Sequence, residues 1–170
     1  GTYLLAGASL CGGKAYALLE KFFREFVKEA TGQEKPLYKT LEKLAGDGKA
    51  SCTGRENRKK LQIETTFDGT RVHPEQTGSI TNLSTDNFTP AAFVYGTLEG
   101  MSRELYQMYQ TIQNGTGMQI KRMIGSGNGL RKNPVLCGIV EEMFGAKLAL
   151  AECEEEAATG AALSSMQQDE

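Results

Sequence analysis

The sequence is poor in the residues on which many catalytic and metal sites depend. Its 170 residues include one histidine, four cysteines and no tryptophan. The cysteines, at positions 11, 52, 137 and 153, form no C-x-x-C pair, so the sequence suggests neither a zinc site nor a disulfide scaffold, and reduced thiols are expected. His73 lies in a stretch rich in glycine and proline, which favours a solvated turn residue over a general base.

The sequence also lacks an excess of either charge and a long apolar run. Lys and Arg number 19 against 21 Asp and Glu, so nothing in the charge argues for a nucleic-acid or anionic-membrane partner. No apolar run approaches the roughly 20 residues of a transmembrane helix, and the beginning of the sequence does not resemble a signal peptide. The sequence therefore predicts one globular domain with a cytoplasmic location.

Glycine is plentiful and marks the stretch around which the chain is organised. Gly125, Gly127 and Gly129 alternate between an apolar run, Met118–Ile124, and a helical pattern, so the sequence predicts strand, loop and helix. Missing Cβ atoms let a ligand approach the backbone N–H groups, and a helix N-terminus beyond them favours an anion. The G-x-G-x-G spacing is not a dinucleotide fingerprint. A tight turn and a phosphate or nucleotide site both remain open.

The helix after this loop has well-marked ends. Asn133 lies at the N-cap position, Pro134 at the first helical position, and Gly145 where a C′ glycine belongs. The capping role explains Asn133 without any ligand, although one residue can serve both purposes.

A second strand–glycine–helix unit opens the chain. Thr2–Ala6 is predicted to be a strand, and the segment from Gly7 to Lys14 leads into a helix with apolar residues on one face. The segment approaches a P-loop, but Ala15 stands where a hydroxyl should hold magnesium, so a glycine-rich helix start is favoured. A following short helix is predicted to end at Gly46–Gly48, before an exposed loop that reaches Lys60.

The remaining elements complete an α/β pattern. Strands are predicted at Leu61–Phe67 and Ser79–Leu83, and the longest helix begins at Thr89 and carries an apolar stripe from Val94 to Ile112. An edge strand, Lys147–Ala151, and a helix of small residues that begins at Glu154–Glu156 follow. This order predicts a central mixed sheet flanked by helices, with Thr2–Ala6 and Met118–Ile124 as interior strands.

Three segments resemble the carboxy-terminal domain of the FGGY carbohydrate kinases, whose fold is that of actin, Hsp70 and hexokinase (ribonuclease H-like). Phe67–Pro74 resembles the family's F-x-G-x-R-x-x-P segment. Gly125-Ser-Gly with Asn133-Pro-Val-Leu resembles its adenosine motif, and Glu156–Ala162 its closing E-x-x-x-G-A-A helix. Within the family, the segment from Ala6 to Gly13 and the long Gly-Ser-Gly loop look most like sedoheptulokinases.

The resemblance implies an ATP-binding domain. In the intact enzyme, sedoheptulose and ATP would give sedoheptulose 7-phosphate and ADP, with Mg²⁺ carried by the nucleotide. The residues implied to contact ATP are Gly7, Gly125, Gly127, Gly129 and Asn133. Cys11 departs from the glutamine of glycerol kinases at the corresponding position.

The resemblance also implies which functional residues of the enzyme lie outside this sequence. The family's catalytic aspartate and sugar-binding residues belong to an amino-terminal domain, so no catalytic residue or metal ligand is expected in residues 1–170, and the chain alone should be inactive. That domain and the sugar are the implied partners. The first strands of this domain are expected upstream of Gly1, and an open sheet edge predicts self-association. A non-catalytic ATP-binding or interaction module with the same fold is the alternative.

Overall fold

The fold class is α/β, as the sequence predicts, and the chain forms two compact units, Gly1–Met118 and Gln119–Glu170. The computed structural model describes residues 4–52, 60–152 and 156–166. Within these ranges the strands pair as two separate two-stranded sheets, one in each unit. The predicted central sheet is therefore not assembled from the described residues.

The described residues of the first unit form three helices and an antiparallel strand pair. The elements are α1 Gly13–Thr31, α2 Tyr38–Cys52, β1 Gln62–Glu64, β2 Ser79–Thr81 and α3 Pro90–Thr116. β1 and β2 pair with Ile63 opposite Ile80. The predicted start of α3 is confirmed, because the Thr89 side chain accepts a hydrogen bond from the Ala92 N–H and Pro90 follows it.

The core of the first unit lies where α3 packs against α2 and β1. Leu41, Leu61, Val94 and Leu98 are fully buried there. Two glycines permit the close packing: a Cβ atom at Gly100 would lie 2.1 Å from the Ile63 carbonyl oxygen, and one at Gly48 would lie 2.4 Å from that of Ala91.

The predicted end of the second helix at Gly46–Gly48 is wrong. α2 continues through these glycines to Cys52, because the absent Gly48 side chain gives room for the α3 backbone rather than ending the helix. Lys49 is therefore helical instead of opening a loop, and positions 53–59 of the predicted loop lie outside the described residues.

The predicted strand at Thr2–Ala6 is also not observed. Leu4 to Ala6 are irregular and exposed, with Leu4 at 92% exposure, and Thr2 and Tyr3 lie outside the described residues. A strand needs a neighbour to satisfy its backbone N–H and C=O groups, and among the described residues this segment has none.

In the second unit, the part of the chain that the structure describes forms a parallel strand pair and three helices. Its elements are β3 Met123–Gly125, α4 Asn128–Arg131, α5 Pro134–Phe144, β4 Leu148–Leu150 and α6 Glu156–Met166. β3 pairs with β4, with Ile124 opposite Ala149. The predicted strand at Met118–Ile124 is thus confined to its last residues, and it is not interior, because Ile124 is exposed.

The helix ends predicted in the second unit are confirmed for α5. Asn133 is its N-cap and Gly145, in the left-handed conformation, is its C-cap. The predicted start of the last helix at Glu154 and Glu155 lies outside the described residues. Across the described ranges, no helix is both long enough and apolar enough to cross a membrane.

Candidate functional site

The glycine-rich segment of the second unit is a strand end, a turn and one helical turn. Gly125 is the last residue of β3, Gly127 precedes α4, and Gly129 lies on α4. The prediction of a loop throughout Gly125–Gly129 is therefore wrong at both ends. The physical reason is that the Arg131 N–H donates to the Gly127 carbonyl oxygen at 3.2 Å, which closes a helical turn over Gly129.

The three glycines serve different purposes. A Cβ atom at Gly125 would lie 2.7 Å from Leu130 Cδ1 and 3.0 Å from Leu148 Cδ1, so this glycine allows close packing. Gly127 has a φ of 91°, which a residue with a side chain rarely adopts. A Cβ atom placed at Gly127 or at Gly129 would meet no other heavy atom within 4 Å. The backbone at these two residues is thus open to a ligand.

Asn133 is buried and its side chain is already used. Its Oδ1 accepts a hydrogen bond from the Leu136 N–H at 3.0 Å, and the residue is only 7% exposed. The Cys137 N–H donates to the Asn133 carbonyl oxygen, and the Cys137 thiol donates to that of Leu130. The predicted capping role is confirmed, and any contact with a base would have to use the amide nitrogen or the second lone pair of Oδ1.

Gly7 belongs to the first unit, whereas the other four predicted contacts belong to the second. A Cβ atom at Gly7 would lie 2.9 Å from Met108 Cβ on α3, so the glycine is required by close packing in its own unit. The segment that follows Gly7 in the chain contains a local hydrogen bond. The Gly12 N–H donates to the Ser9 hydroxyl oxygen at 2.8 Å.

The predicted helix start is confirmed, because α1 begins at Gly13, and Lys14 on its first turn forms an ion pair. Its Nζ lies 2.8 Å from an Asp68 carboxylate oxygen, and the hydrogen bond to Asp68 raises the pKa of Lys14. The lysine is therefore engaged by a carboxylate of the Phe67–Pro74 segment. Sequence reasoning missed Asp68 as the partner, because the two residues are far apart in the chain.

The pKa values of the Cys11 and Cys137 thiols are both raised, which disfavours the nucleophilic thiolate form. Burial, followed by the nearby Asp68 carboxylate, raises the pKa of the buried Cys11 thiol. Burial and then Glu141 raise the pKa of Cys137. Both Cys11 and Cys137 are free thiols. Within the described ranges, no three His, Cys, Asp or Glu residues are grouped so that they could hold a metal ion.

Glu141 is a structural residue of the second unit that the sequence did not single out. One carboxylate oxygen accepts the Leu148 N–H at 2.9 Å, and the other accepts from Lys147 Nζ at 3.2 Å. These two interactions, led by the backbone hydrogen bond, lower the pKa of Glu141. Glu141 thus ties α5 to the start of β4, the partner strand of the glycine-bearing β3.

Comparison with protein families gives a match over nearly the whole sequence. Residues 1–167 match the family described as "FGGY family of carbohydrate kinases, C-terminal domain". Comparison with curated proteins gives no match.

Several kinases of known structure have a similar fold. The xylulose kinase from Rhodospirillum rubrum superimposes with a TM-score of 0.64 at 22% identity, over 81% of this chain and 25% of that one. The xylulose kinase from Bifidobacterium adolescentis gives 0.62 at 19% identity, over 84% and 25%. Plasmodium falciparum glycerol kinase with ADP gives 0.61 at 17% identity, over 81% and 26%. The chain spans about a quarter of the length of these proteins.

Proposed function

Because this chain belongs to the FGGY family of carbohydrate kinases, as their C-terminal domain, we propose that it is the ATP-binding domain of an ATP-dependent sugar kinase. The observation that carries the proposal is the match over residues 1–167. The open backbone at Gly127 and Gly129 supports it, because a nucleotide can lie against a main chain that has no side chain in the way.

The glycines and Asn133 have distinct proposed roles toward ATP. Gly127 and Gly129 offer their backbone to the nucleotide, while Gly125 positions them by letting Leu130 and Leu148 pack against the end of β3. The amide nitrogen of Asn133 is the donor proposed to face adenine, since its Oδ1 caps α5. Gly7 is the proposed contact from the first unit.

Magnesium is proposed to arrive on the nucleotide. When bound, Mg²⁺ would supply positive charge that offsets the negative charge on the phosphates during phosphoryl transfer. The described residues offer no cluster of ligands of their own. The role proposed for this chain is to hold and orient the nucleotide.

The acceptor sugar and the residue that takes its proton are proposed to belong to an amino-terminal domain. The solved relatives are about four times as long as the matched segment, which leaves room for such a domain. Phosphoryl transfer depends on assembling acceptor, base and metal-bound phosphates together. The 170 residues alone would then bind nucleotide without turnover.

Sedoheptulose is the proposed acceptor, on the resemblance of the segment from Ala6 to Gly13 and of the glycine segment to sedoheptulokinases. The similar solved structures include kinases named for xylulose, glycerol and gluconate, so the sugar is best tested as a panel. The full-length protein should phosphorylate sedoheptulose faster than xylulose, glycerol or gluconate. A preference for another member of the panel would contradict the sugar assignment and leave the kinase assignment intact.

Nucleotide binding is tested by Gly129→Ala, with Gly138→Ala as the matched control. Both glycines lie on helices of the second unit and neither has an atom within 4 Å of a built Cβ, so both variants should fold at least as well as the wild type. The methyl group at position 129 would project where the nucleotide is proposed to lie. We expect ATP affinity, measured by calorimetric titration, to fall about tenfold for Gly129→Ala and to stay unchanged for Gly138→Ala. Equal affinities for both variants would contradict the site.

A further inference from the structure

One face of α1 is buried at its beginning and exposed further along. Ala15 is 0% exposed, while Phe22 and Phe26, seven and eleven residues later on the same face, are 65% and 69% exposed. The amphipathic pattern of this helix therefore continues past the residues that cover it. Exposed apolar surface of this kind on a folded protein marks a place of contact.

The exposed face continues into an apolar groove of about 460 Å³ in the first unit. α1 contributes Leu18 and Phe22, the loop after β1 contributes Phe67, β2 contributes Ile80, and α3 contributes Phe93. None of the lining residues is charged. A charged occupant would lose its hydration there without gaining a partner, so the groove suits an apolar one.

The strand β2, which lines one side of the groove, has a free edge. Among the described residues, β2 pairs only with β1, so its other side carries backbone N–H and C=O groups that no neighbouring strand uses. An occupant of the groove could therefore gain main-chain hydrogen bonds as well as apolar contacts.

The length of the related proteins indicates what the occupant is. Each solved relative has about three quarters of its chain outside the segment that matches these residues. We propose that the groove and the Phe22–Phe26 face receive an apolar segment of the kinase polypeptide that lies outside these 170 residues. The proposal rests on the proposed function, because it requires that this chain be one domain of a longer kinase.

The test places the photoreactive amino acid p-benzoylphenylalanine at position 22 of the full-length protein, with position 17 as the control. Ala17 is exposed on the same helix but lies about 140° around it from Phe22. After irradiation, the cross-linked peptides are identified by mass spectrometry. We expect position 22 to cross-link to residues outside the 170, at a yield roughly tenfold above that at position 17.

Several results would overturn this proposal. They are cross-links only within these 170 residues, cross-links between two copies of the groove, equal yields at positions 22 and 17, or a natural polypeptide no longer than 170 residues. ATP binding is measured on the same cross-linking variant. If ATP binds and the expected cross-link is missing, the docking surface is wrong and the proposed function stands. If the cross-link forms and ATP does not bind, the proposed function fails alone.

Discussion

Asn133 offers a perturbation that separates a structural role from a ligand-binding one. Its Oδ1 holds the Leu136 N–H at 3.0 Å at the first turn of α5, and both residues are buried. Asn133→Ala removes the cap and leaves that N–H without its partner. Asn133→Asp keeps an oxygen at the cap and adds a negative charge that a helix N-terminus favours, but it removes the amide nitrogen proposed to face adenine.

The expected cost of Asn133→Ala is about 1–2 kcal/mol of unfolding free energy, the upper part of the range for N-cap substitutions, because the orphaned N–H is shielded from water. Asn133→Asp should lie within about 1 kcal/mol of the wild type or above it. Loss of the amide donor should weaken ATP binding by roughly 1 kcal/mol, which is about a fivefold loss of affinity, in both variants. Tripolyphosphate, which has no base, should bind the wild type and Asn133→Ala equally.

Urea unfolding followed by circular dichroism gives the stabilities, and calorimetric titration of the folded proteins gives the affinities. An unchanged urea midpoint for Asn133→Ala would refute the capping argument. If Asn133→Asp bound ATP as the wild type does, the proposed contact with adenine would be wrong, and Asn133 would be a cap only.

Three further outcomes are expected. Gly100→Ala should cost about 1–3 kcal/mol of unfolding free energy in urea, because its Cβ would lie 2.1 Å from the Ile63 carbonyl oxygen, whereas Gly115→Ala, with no atom nearby on the same helix, should gain up to about 1 kcal/mol. Equal effects would mean that α3 does not pack on β1 as described. The lowered pKa of Glu141 means that its carboxylate stabilises the fold above its ordinary pKa of 4.5 and that this stabilisation is lost as the pH falls through the folded pKa. The difference in stability between wild type and Glu141→Gln should therefore be present at pH 7 and vanish in acid, and a difference that persists in acid would point to another cause. A coupled assay of ADP release should find no turnover of sedoheptulose and ATP by the 170-residue chain above the buffer rate, and activity abolished by a substitution within the chain would show that it carries a catalytic group.

Helix ends were predictable where the signal is local. Thr89 and Asn133 cap α3 and α5 through their own side chains, and Gly145 ends α5 in the left-handed conformation. Each of these depends only on residues within one turn, so the sequence contains all the information that is needed.

The structural role of a glycine could not be predicted where that role depends on the surrounding fold. Gly48 lies inside α2 because α3 comes close to it, and the packing partner lies more than forty residues away in the sequence. Gly129 lies on a helical turn closed by hydrogen bonds from neighbouring backbone groups. A glycine in the sequence indicates a missing side chain, but not whether a turn, a neighbour or a ligand requires it.

Strands were overestimated, because an apolar run becomes a strand only beside a partner. Leu4 to Ala6 has none among the described residues, and β3 pairs only with β4. The candidate site shows the same limit: the resemblance named Gly7, but not that Met108 packs against it or that Lys14 is bound to Asp68. Long-range contacts of this kind have no local signature.

The most direct test of the proposed nucleotide site is hydrogen–deuterium exchange of the 170-residue chain with and without ATP and Mg²⁺, read by mass spectrometry at the level of peptides. Bound nucleotide should slow exchange in peptides that cover Gly125–Asn133 and in the peptide that contains Gly7, while peptides from α2 serve as the internal control. Protection in these segments is the result that the proposed site predicts. Exchange that is unchanged at saturating ATP, or protection confined to other segments, would contradict it.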